Sequence, residues 1–88
     1  MDTFTLVVVL RAVGDVDEAA VGTLGLWRDD IDPALWRAST DCTAGGLEEA
    51  LSLGRDLADR ITSGPVDATV VEVVAMDDEQ QLVWRANP

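Results

Sequence analysis

The sequence predicts an α+β domain: a ferredoxin-like β-α-β-β-α-β chain with an appended C-terminal strand, its antiparallel sheet covered on one face by two helices. Three observations carry that expectation. Two runs, residues 3–13 and 67–76, are rich in Val and Thr and long enough to cross a sheet. Between them, residues 47–61 repeat apolar side chains at helical spacing. Finally, three triplets join an apolar residue to Trp-Arg: Leu26-Trp27-Arg28, Leu35-Trp36-Arg37 and Val83-Trp84-Arg85. Adjacent side chains of an extended strand point to opposite faces, so each triplet sets an indole on one surface and a guanidinium on the other.

The elements follow in order. In the first strand Phe4, Leu6, Val8, Leu10 and Ala12 share one face and Thr3, Thr5, Val7, Val9 and Arg11 the other, until Gly14-Asp15 ends it. Asp15 or Asp17 caps a short helix to about residue 23, with Val16, Ala19, Ala20 and Leu24 inward. Gly22 and Gly25 stop it, since glycine costs about 1 kcal/mol against Ala inside a helix. Residues 24–28 and 34–40 form two short strands joined by Asp29-Asp30-Ile31-Asp32-Pro33, whose proline is excluded from a central ladder. The second helix sets Leu47, Ala50, Leu51, Gly54, Leu57, Ala58 and Ile61 against Glu48, Glu49, Arg55, Asp56, Asp59 and Arg60, and ends at Gly64-Pro65. After the strand 67–76, residues 82–86 return across the turn 77–81.

Composition bounds the rest. Eighty-eight residues make one small domain, residues 1–88, and a hydrophobic fraction of 48% argues against disorder. A net charge of -11 opposes direct binding to nucleic acid or anionic lipid and leaves a protein partner. All six cations are Arg, a usage that fits GC-rich coding or adaptation to high salt. With a single cysteine, no basic segment ahead of the first apolar run and no apolar stretch of membrane-spanning length, the expected location is cytoplasmic.

The uncovered face of the sheet points to function. Val7 and Val9 lie opposite the predicted helix-facing set, and in residues 67–76 strict alternation puts Val70, Glu72, Val74 and Met76 outward and Thr69, Val71, Val73 and Ala75 inward. A sheet covered on one side should alternate apolar with polar, whereas near-continuous Val signals burial on both. The expected function is therefore a non-catalytic accessory or interaction domain, associating through that face as a homodimer or with a cognate protein. The expected interface is Val7, Val9, Val70, Val74, Met76 and Trp84. About five apolar side chains per subunit, at about 1.5–3 kcal/mol each, contribute on the order of 10 kcal/mol before association costs. The competing account is that the appended strand or a different register hides those valines.

Enzymatic chemistry has little to stand on. With no histidine, zinc hydrolase, Ser-His-Asp and Cys-His mechanisms lose a required group, and no cofactor or metal motif is present. Cys42 has acidic neighbours and no base, which reads as a structural thiol. The clusters Asp29-Asp30-Ile31-Asp32 and Asp77-Asp78-Glu79 lack EF-hand spacing and read as solvated turns. Two further readings remain. Trp27, Trp36, Arg37, Arg85 and Glu72 are candidate contacts for an aromatic or apolar acid in a dimeric α+β barrel-type binding domain. The acidity also suits an inhibitor or antitoxin-like protein competing for a basic surface. Glu72, set among valines, needs Arg11, Arg37 or Arg85 beside it if buried.

Overall fold

The structure, a computed structural model, describes residues 2–13, 25–28, 30–32, 34–63 and 67–86. Five strands, β1 (Asp2–Ala12), β2 (Trp27–Arg28), β3 (Leu35–Ala44), β4 (Ala68–Met76) and β5 (Gln81–Arg85), form one sheet in the order β2-β3-β1-β4-β5. Every neighbouring pair is antiparallel. The most continuously apolar strand, β1, takes the centre, where both its edges are hydrogen-bonded and Val8, Val9 and Leu10 in succession are buried.

The ferredoxin-like expectation of a sheet under two helices is corrected: among the described residues this strand-rich sheet carries one helix, α1 (Leu47–Thr62). The helix expected over residues 15–23 lies outside the described residues, as does Gly64-Pro65. Strand content is also larger than composition suggests. The third strand runs on to Ala44 because Asp41 and Thr43 continue the outward set while Cys42 and Ala44 continue the inward one, a period of two that polar residues disguise as loop. Gly25 takes a left-handed φ of 75° two residues before β2.

Helix α1 begins where its sequence favours it. The Gly45 N–H donates to Glu49 Oε2 (3.1 Å), and Glu48 and Glu49 stand at the positive pole of the first turn, with Arg60 in the last. Its inward stripe of Ala50, Gly54, Ala58 and Ile61 is small enough for the helix to lie close on the sheet. Gly54 is the tightest point: a Cβ there would fall 2.7 Å from Val73 Cγ1 and 3.5 Å from Leu6 Cδ2. Under the helix sit two joined clusters, one of Val8, Leu10, Trp36, Ala38, Ala58, Ile61 and Val73 with Leu26 and Ala68, the other of Phe4, Leu6, Ala44, Ala50 and Ala75.

A bulge decides which residues face the helix. Val9 is opposite Glu72 but Leu10 is opposite Val70, so Val71 is an extra residue on β4. Its carbonyl accepts the Ala86 N–H (3.0 Å) instead. Past this point the strand's phase inverts. Val70 and Ala68 turn toward the helix with Leu10 and Ala12, and Thr69 turns outward with Arg11. Strict alternation had placed Val70 outward and Thr69 inward, and the bulge corrects both.

Candidate interaction face

The side of the sheet away from α1 is assembled by register. Across the five strands one row reads Trp27, Arg37, Val9, Glu72, Arg85. The next reads Ser39, Val7, Val74, Val83, and the one beyond it Asp41, Thr5, Met76, Gln81. Toward the other end lie Leu35, Arg11 and Thr69. Val7, Val74 and Met76 are half-buried, while Val83 is 37% and Trp27 46% exposed. Val9 is only 2% exposed, flanked in its row by Arg37 and Glu72, whose length suits them to shield it.

Of the six expected interface residues, Val7, Val9, Val74 and Met76 share this face. Val70 and Trp84 do not. Trp84 is opposite Val73 on the helix side, with the Arg55 guanidinium of α1 4.6 Å from its ring centroid. Val83 takes the outward place, a residue the sequence reading missed. The signal was present: a four-residue connection after Met76 sets Met76 opposite Gln81, which puts Val83 beside Val74.

The Trp-Arg triplets alternate as strands require, but out of phase with one another. Trp27 faces outward and Arg28 inward, whereas Trp36 and Trp84 face inward and Arg37 and Arg85 outward. Because Arg28 is in register with Trp36, its guanidinium lies 4.9 Å from that ring's centroid. Trp36 and Trp84 share a face with two strands between them, a separation of about 14 Å, and Trp27 is on the opposite side. The three indoles therefore do not line one pocket. Trp27, Arg37, Glu72 and Arg85 stand in a single row, Trp27 beside Arg37 and Glu72 beside Arg85, with Val9 between the two pairs, so they do not line one pocket either. Arg85 Nε donates to Glu72 Oε1 at 3.1 Å, so this carboxylate among valines has the cation it needs.

The charge of this face differs from that of the chain. Its strand positions carry Arg11, Arg37 and Arg85 against Asp41 and Glu72, a balance of +1 in a protein of -11. Acidic side chains gather elsewhere. Glu48, Glu49, Asp56 and Asp59 are exposed on α1, and Asp2, Thr3, Asp77, Asp78 and Glu79 line an open depression of about 300 Å³ at one end of the sheet. There Asp77 Oδ1 accepts the N–H groups of Glu79 (2.8 Å) and Gln80 (2.7 Å), which holds its carboxyl below the usual Asp range. Among the described residues no group of acidic or cysteine side chains is arranged to hold a metal ion.

Cys42 lies on the helix side, half-buried against Phe4, Leu6 and Ala44. Burial first, then the charges of Asp41 and Glu49, push its thiol above the ordinary value, so at neutral pH it is protonated and a weak nucleophile. Among the described residues no helix is long and apolar enough to cross a membrane. Comparison with protein-family models, curated proteins and solved structures finds no match for this chain.

Proposed function

We propose that this chain is a non-catalytic interaction domain that associates through the face of its sheet opposite α1, with its place of work in the cytoplasm. The observation that supports the reading is the pairing of two properties on one surface. The row Val7, Val74, Val83, with Met76 and Trp27 near it, offers apolar area, and the same surface carries only two of the chain's seventeen acidic residues at its strand positions. Depletion of carboxylates with retention of Trp, Met and Arg is the compositional pattern of interface centres. The half-buried lone thiol and the absence of histidine give catalysis no support.

Trp27 reports on the proposal. It is the exposed indole of this face, whereas Trp36 is buried and Trp84 half-buried. Association through the face shields Trp27, so acrylamide quenching of indole emission is expected to fall as protein concentration rises. Quenching that stays constant from micromolar to millimolar protein, with no cognate partner reducing it, contradicts the reading.

A further inference from the structure

Resting on the reading of this face as an interaction surface, we infer that its occupant is a second copy of the chain, docked face to face across a two-fold axis that runs along β1. The argument comes from the row Trp27, Arg37, Val9, Glu72, Arg85. Neighbouring strands are about 4.8 Å apart, so these side chains stand at roughly equal steps on either side of Val9. An in-plane two-fold along the central strand sets β3 against β4 of the other copy and β2 against β5. Arg37 then meets Glu72 of the second copy, Trp27 meets Arg85, and Val7 meets its own counterpart, with Val9 already buried beneath the Arg37–Glu72 pairs. The Arg37–Glu72 and Trp27–Arg85 contacts each occur twice, and the self-contact on the axis occurs once.

The row is self-complementary in sign. Glu72 already accepts from Arg85 of its own chain, and a carboxylate with about four lone-pair sites has room for a second guanidinium. An Arg over an exposed indole is a favourable cation-π contact. Arg11 also lies on β1 and faces its counterpart, a like-charge cost placed on long, exposed side chains near the end of the strand, where solvent and salt screen it.

Net charge agrees with a second copy. The strand positions that overlap in this docking cover a plane of about 430 Å², from a rise of about 3.3 Å per residue and a strand spacing of about 4.8 Å. Stable interfaces start at about 600 Å² per partner, so this is a small, concentration-dependent contact. Two chains of -11 repel, and the described strand positions of this face, at +1, are where they approach without opposing carboxylates.

Reversed charges test the pairing. Arg37→Glu and Glu72→Arg, each alone, place like charges against each other twice, and each is expected to weaken self-association at least tenfold in sedimentation or light scattering. Mixed one to one, they restore opposite signs at both sites, and the mixture is expected to form a heterodimer within a few-fold of the wild-type affinity. Circular dichroism of each variant alone confirms the fold, and recovery on mixing is not produced by a folding defect. A mixture no tighter than its components, with Val74→Asp still abolishing association, overturns the registered pairing and leaves the interaction face standing. Association that survives Val74→Asp as well overturns both. A chain that is monomeric at millimolar concentration overturns the second copy as occupant, and Trp27 quenching with other partners then decides the face.

Discussion

The two faces of this sheet use similar amino acids to opposite ends. Beneath α1, Val8, Leu10, Val73 and Ala75 are sealed, with Gly54 letting the helix backbone down onto Val73. On the other side Val7 and Val74 lie one residue away along the same strands, with Val83 opposite Val74 on β5, and all three retain contact with solvent. Chemical identity does not separate Val7 from Val8, or Val74 from Val73. What separates them is the helix: among the described residues α1 covers one face and no element covers the other, whose described strand positions also carry few carboxylates. Apolar residues that a single copy leaves part-exposed, among strand positions poor in the chain's dominant charge, are the basis on which we propose contact with another molecule.

The sharpest way to break that contrast is truncation of neighbours. Val8→Ala, which empties space in the sealed face, is expected to lower stability by about 2 kcal/mol in denaturant titrations. In dilute protein Val7→Ala should cost less than about 1 kcal/mol, because little is lost where water already reaches. Equal costs would place Val7 in the core of a single copy. Next in size is Gly54→Ala. Ala favours the helix by about 1 kcal/mol, but its methyl group would press on buried Val73, an overpacking cost of about 1–3 kcal/mol. A net loss of about 1 kcal/mol in thermal or chemical unfolding is expected, and a gain would show that helix and sheet have slack between them.

Two smaller effects follow from titration. The Cys42 thiol, with its pKa raised, should alkylate more slowly at neutral pH than a cysteine in an unfolded peptide, the gap closing only in alkaline solution. By linkage its neutral form favours the fold, so its contribution is present below the ordinary thiol value and declines as pH rises above it. Asp77 has the opposite sign: its depressed carboxyl contributes above the ordinary Asp value and loses that contribution as pH falls through the folded one. Asp77→Ala should therefore loosen the β4–β5 turn at neutral pH and differ little from wild type in strong acid. Unfolding curves that show the same difference at both pH values would remove the carboxylate from the account.

Much of the sheet was legible because polar residues marked its phase. Thr3, Thr5 and Arg11 label the outward side of β1, and the alternation of Leu47 to Ile61 with acids fixes the helix stripe. The bulge was not legible. Val70-Val71 and Val73-Val74 are apolar on both sides of Glu72, so one inserted residue changes the phase without changing the hydrophobic pattern. Trp84 was misplaced for a related reason: its orientation depends on the β4–β5 register, which the four-residue turn sets and the triplet Val83-Trp84-Arg85 does not. The row joining Trp27 to Arg85 spans five strands, and only the strand order reveals it.

Light scattering on the wild-type chain and Val74→Asp, over a concentration series, tests the central claim most directly. The account predicts a mass rising to twice that of one chain for wild type, and a single-chain mass for Val74→Asp with its circular dichroism unchanged. A wild-type chain that stays single at every concentration, or a Val74→Asp chain that doubles as readily as wild type, would contradict it.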